Sequence, residues 1–146
     1  MRCREFYLEF TALANHFKSF SLLFARVAIA YGFYTPALVK WSNFDTTVAW
    51  FVELGIPFAT FATFVTASVE VIAIVLLFLG LFTRFISIPL IVIMLVAIFS
   101  VHLSHGFSVA NNGFEIPLYY LLFLSIFATQ GAGKFSLDYL MFTREK

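Results

Sequence analysis

The sequence predicts an all-α fold: a four-helix transmembrane bundle with an N-terminal cytoplasmic amphipathic helix and a short outer interfacial helix. Three observations predict it: the composition, four separated apolar runs, and a one-sided placement of lysine and arginine. Of the 146 residues, 62% are hydrophobic and only 12% charged, whereas a soluble domain carries roughly 25% charged residues. A globule of this size could not hide so much apolar side chain behind so few charges, and lipid is the solvent that suits it. The length allows one domain. The Lys and Arg residues are dispersed and form no basic stripe, which argues against nucleic acid as a partner. Cys3 is the only cysteine, so an intramolecular disulfide framework and a CxxC redox pair are both excluded.

The elements follow in chain order. Residues 1–19 form the amphipathic cytoplasmic segment, with Phe6, Phe10, Leu13 and Phe17 at the spacing of one helix face. A helix of this kind lies along the membrane surface or docks on the protein's own spans. A cleavable signal would have a shorter apolar core, so the first span is expected to be retained. The spans are placed at about 20–41, 58–82, 85–103 and 115–130, within a domain over 20–130, and each is judged against the ~20 residues that cross a bilayer. Pro36 should kink the first span. The short outer helix covers Thr46 to Leu54, stopped by Gly55 and Pro57, and is bracketed by Trp41 and Trp50, a residue type that favours the headgroup level. Pro117 falls in the first turn of the fourth span, where it is tolerated. A cytoplasmic tail, 131–146, follows.

Orientation comes from counting cations by side. With an even number of spans, Arg2, Arg4, Lys18, Arg84, Lys134, Arg144 and Lys146 share one side, and Lys40 alone approaches the other. Both termini are therefore expected to be cytoplasmic.

Charges within lipid are expensive, about 2.5–3.5 kcal/mol on insertion scales, so each needs a reason. Glu70 shares its helix face with Ala59, Thr63, Thr66, Ala67 and Ala73, while Phe61, Val65, Ile72 and Leu79 lie opposite. Small residues let helices approach and bulky ones suit lipid, so Glu70 is expected to point inward. Counting at 1.5 Å per residue from the cytoplasmic ends of the spans puts Arg26 roughly 9 Å deep, Glu70 roughly 15 Å and Lys40 roughly 30 Å. On that count Arg26 is the expected partner of Glu70 and Lys40 is too far away. The pair is either a structural lock or a proton or ligand site, which makes Glu70 and Arg26 the candidate catalytic residues. A second cluster, His102, His105, Glu115 and Lys40, gathers near the outer face as a candidate ligand-binding rim. The HxxH spacing with Glu115 is also a weak metal-binding pattern. A pocket apolar below and polar at its rim would suit a quinone, whose carbonyls accept hydrogen bonds from His or Lys. No P-loop, GxGxxG, GxSxG or HExxH occurs, so any catalysis must use the buried charges or a partner's cofactor.

The order of several short motifs resembles the DoxX family of small bacterial membrane proteins over roughly residues 22–140. The resemblance rests on Arg26, the Gly32…Lys40 stretch, Leu54-Gly55-Ile56-Pro57, and Glu70 followed by Leu77-Phe78-Leu79-Gly80-Leu81-Phe82-Thr83-Arg84. It continues with His102, Gly106-Phe107, Asn112-Gly113-Phe114-Glu115, and Gly131-Ala132-Gly133-Lys134-Phe135-Ser136-Leu137-Asp138. Ala132 departs from the proline often found there, and the N-terminal extension is not part of the pattern. The resemblance implies a four-helix membrane bundle associated with redox systems. Related proteins take their name from a thiosulfate:quinone oxidoreductase subunit, and others sit with thiol-stress, catechol/quinone-stress or metal-linked peptide systems.

The functional expectation is a membrane subunit or accessory of a redox pathway that holds a quinone-like ligand, with no cofactor motif of its own. Soluble redox or peptide-modifying proteins and a second copy of the chain are the partners considered besides the bilayer. The alternatives are a non-catalytic anchor or assembly factor for soluble partners and, third, a small-solute or metal transporter.

Overall fold

Helix α1 runs without interruption from Arg2 to Ser42, about 61 Å at 1.5 Å per residue. The structure, a computed structural model, describes residues 2–142; Arg144 and Lys146, counted above for orientation, lie outside the described residues. The expected boundary between residues 1–19 and the first span does not interrupt the helix. No glycine or proline occurs before Gly32, and Ala12 and Ala14 favour helix in the stretch where a break was expected. Phe6, Phe10, Leu13 and Phe17 are all exposed along this leading half.

Helix α2, Phe44–Glu53, is the short helix anticipated after the first span. It ends at Leu54, with Gly55 in the left-handed region just beyond. Helix α3, Ala59–Leu79, stops at Gly80, whose φ of 66° suits a residue without a Cβ. The Gly80 and Leu81 N–H groups donate back to Leu77 and Leu76 carbonyls, which satisfies the end of the helix. Helix α4, Thr83–Ala97, then returns across the bundle. Its last part leaves α-geometry, as a π-helical stretch at Ile98–His102 and a 3₁₀ turn at Leu103–His105. Helix α5 covers Glu115–Gln130 and helix α6 Leu137–Phe142.

Among the described residues the architecture is all-helical. Three helical segments, Cys3–Ser42, Ala59–Leu79 and Thr83–His105, are long and apolar enough to cross a membrane. α1 packs along α3, α3 against α4, α4 along α5, and α5 touches α1 again. Ala59, Thr63, Ala67, Glu70 and Ala73 are the buried face of α3, and Ala30 and Ala37 are buried on α1. Small residues on both sides let these helices come close, which supplies packing where lipid offers no hydrophobic drive. Phe61, Val65, Ile72 and Leu79 are exposed, as the helical wheel requires. Leu22, Ile29, Phe33, Leu77, Leu90 and Phe127 fill the centre.

Residues 131–142 fold back over one end of the bundle rather than trailing away. The Asp138 carboxylate accepts the Phe82 and Thr83 N–H groups at 2.7 and 3.1 Å. It thereby caps α4 from a distance, and a negative charge there complements the helix dipole.

Candidate functional site

A cavity of about 830 Å³ opens between α1, α2, α3, α4 and α5 in the half of the bundle nearest α2. Most of its wall is apolar, including Phe33, Phe51, Val65, Ile93 and Ile116. Its polar positions are few, chiefly Lys40, Glu70, Thr66, Ser100, His102, Asn112 and Tyr120. Ligand sites typically combine an apolar volume of this order with a handful of placed polar groups.

The ion pair on its wall joins Lys40 to Glu70. The Lys40 ammonium lies 3.0 and 2.9 Å from the two carboxylate oxygens, with the glutamate 2% and the lysine 16% exposed. This overturns the expected Arg26–Glu70 pairing. Arg26 instead donates from Nη1 to the Leu77 carbonyl at 2.9 Å and from Nη2 to the Phe135 carbonyl, and its guanidinium packs on Gly80. The error was one of level. Arg26 sits opposite the last turn of α3, so counting back along the antiparallel pair puts a position near 34 on α1 at about the height of Glu70. Lys40 is then six residues on, about 9 Å along the axis, a gap that a lysine and a glutamate side chain bridge together. Helix ends set by hydropathy do not fix the relative height of two helices.

The backbone shapes the wall next to this pair. Pro36 has no N–H, so the Gly32 carbonyl one turn earlier loses its helical donor. Both residues line the cavity. Any side chain at Gly32 would collide with the Tyr120 phenol, whose ring packs edge-to-face on Phe33 at 5.2 Å. The sequence reading missed Tyr120, and the Gly32/Pro36 spacing within a span was the available signal for a special wall there.

The four residues of the expected rim separate. Lys40 and His102 line the cavity, whereas His105 and Glu115 do not. The π-helical stretch ending at His102 and the 3₁₀ turn after it break the 3.6-residue register that would have aligned the two histidines. His102 Nδ1 lies 2.7 Å from the Asn112 carbonyl. A carbonyl can only accept, so Nδ1 carries a proton, and in that tautomer Nε2 is the acceptor. His105 Nδ1 turns back to the Val101 carbonyl at 2.9 Å. Glu115 takes the Val109 N–H and the Tyr119 hydroxyl, closing the loop after α4. Among the described residues no three His, Cys, Asp or Glu side chains gather as metal ligands, so the HxxH–Glu115 pattern does not assemble.

The DoxX family model matches residues 21–103. The chain belongs to the DoxX family. A Haemophilus influenzae protein without a functional name is 36% identical over 83% of this chain and 83% of its own length. A Bacillus subtilis protein named "Putative oxidoreductase CatD" is 33% identical over 88% of this chain and 94% of its own. A second Haemophilus influenzae protein is 32% identical over 88% and 96%. No solved structure matches. All of Arg26, Lys40, Glu70 and His102 fall within the matched family segment.

Proposed function

We propose that this DoxX protein is a membrane subunit or accessory of a redox pathway that holds a quinone-like molecule between Lys40–Glu70 and His102. The observation that carries the reading is the juxtaposition of one ion pair and one histidine on a largely apolar cavity of about 830 Å³. A quinone ring needs apolar walls and hydrogen-bond partners at opposite oxygens. The Lys40 ammonium donates to one carbonyl oxygen while Glu70 orients it. His102 Nε2 accepts from a hydroxyl of the reduced form, and the Tyr120 phenol offers a further donor. The electrons come from a partner, because the chain has no redox motif of its own. The relative named as an oxidoreductase supports this direction.

The reading includes four spans, with α5 as the fourth. α5 has 16 residues, about 24 Å. It nevertheless extends from the loop beside His102 to Gly131, which meets Arg84 at the start of α4, and so matches the height of α4. The cation count supports cytoplasmic termini in a bacterial inner membrane, which puts the cavity in the outer half.

Trp50 lines the cavity, so its fluorescence reports occupancy. Titration of the purified chain with a short-chain quinone analogue is expected to give saturable quenching. His102→Ala should weaken the affinity about three- to tenfold, the worth of one hydrogen bond. Equal affinity in His102→Ala and Glu70→Gln would remove the site.

A second reading rests on a different observation. Residues 6–17 of α1 expose Phe6, Phe10, Leu13 and Phe17, a surface on which an anchor or assembly factor could recruit a soluble partner. Partner co-purification lost on deleting residues 1–19, with no quinone binding, would favour it.

A further inference from the structure

At the opposite end of the bundle a second cavity, about 610 Å³, is framed by Lys18 of α1, Arg84 of α4 and Lys134 of the loop after α5. Three elements far apart in sequence thus bring three cations to one cleft. Among the described residues the only salt bridge is Lys40–Glu70, so none of the three is paired with a carboxylate of the described residues. Asp138 is the acidic residue on the wall, and both its oxygens are engaged by the Phe82 and Thr83 N–H groups. The cleft therefore keeps a net positive charge.

The loop is built to hold this arrangement. Gly131 and Gly133 adopt φ of 77° and 80°, which places backbone where side chains would otherwise stand. Arg84 packs against Gly131, at 3.0 Å from where a Cβ would lie, and Gly133 rests on Leu22. The Lys134 N–H donates to Ser19 Oγ. Beside the cations, Phe82, Phe85 and Phe142 border the cleft with 45%, 73% and 61% of their surface exposed. A cationic recess rimmed by exposed aromatic side chains matches an amphiphile with an anionic head and apolar tails.

We infer that the cleft formed by Lys18, Arg84 and Lys134 binds the phosphate of an anionic phospholipid, with its acyl chains against Phe82 and Phe85. The site is independent of the quinone reading. It lies at the other end of the bundle and shares no residue with the first cavity.

The test titrates the full chain in neutral detergent with short-chain phosphatidylglycerol, or with phosphatidylcholine of the same chains, and counts adducts by native mass spectrometry. One saturable phosphatidylglycerol per chain is expected, with phosphatidylcholine much weaker. Each surface cation is worth about fivefold, so K18Q/R84Q/K134Q should lose on the order of a hundredfold. K18R/K134R keeps the charge and should bind as the parent does, which separates loss of charge from loss of fold. Equal binding of the two lipids, or full affinity in the triple variant, would overturn the site. Displacement of the lipid by millimolar inorganic phosphate would overturn the lipid assignment in favour of a soluble phosphate compound.

Discussion

Arg26 and Lys40 sit on the same helix and are both withdrawn from water, but the bundle treats them differently. Arg26 is fully buried and is tied to two backbone carbonyls, Leu77 and Phe135, with the tail folded over it. Lys40 keeps 16% exposure and meets a carboxylate on the wall of a large cavity. A cation locked onto carbonyls has no freedom to exchange partners, so it serves the fold. A cation paired with a carboxylate beside open space is free to release its partner to a ligand or proton, which is what the proposed site requires.

The largest effect should come from Arg26. Arg26→Met frees the Leu77 and Phe135 carbonyls and unties the tail from α3. Charge-assisted hydrogen bonds contribute about 1.5–3 kcal/mol each, so about 3 kcal/mol or more should be lost. That is visible as a steep fall in Tm and in the yield of monodisperse protein. A variant as stable as the parent would remove the structural role.

Next comes the cavity pair. Glu70→Gln leaves Lys40 without a counter-charge, but the long lysine stem can swing its head to the surface, so the loss should be smaller, about 1–2 kcal/mol. K40M/E70L should restore Tm, since apolar replacement of a buried ion pair is often neutral or stabilising, while binding of the quinone analogue stays lost. Restored binding in that double variant would mean the pair is only structural. Gly32→Ala comes third. The Tyr120 phenol must move, and the cost of overpacking is offset in part by the gain of about 1 kcal/mol from replacing Gly with Ala inside a helix, so about 1 kcal/mol should be lost; an unchanged Tm would mean that the ring relocates freely. The smallest effect belongs to Asp138→Asn, which weakens a charged cap worth about 1 kcal/mol, read as a Tm shift of a few degrees.

The same contrast explains what could be read from the residue order. The inward direction of Glu70 was legible, because Ala59, Thr63, Ala67 and Ala73 share its face and a helix has a fixed angular period. The end of the short helix after the first span and the Gly80 turn were legible from Gly and Pro. Which cation meets Glu70 was not, because relative helix height is set by packing and by Arg26 docking on Leu77. The parting of His102 from His105 was also hidden, since no residue type announces a π-helical stretch. The tail's return was invisible for a third reason: Asp138 caps a helix 55 residues away.

The central claim is that Glu70 is coupled to Lys40 and not to Arg26. A double-mutant cycle on Tm in detergent, comparing Glu70 with each cation in turn, tests it most directly. The expected result is a coupling of about 1 kcal/mol or more for Lys40→Met with Glu70→Gln, and near-additivity for Arg26→Met with Glu70→Gln. Strong coupling to Arg26 with additivity at Lys40 would contradict the account.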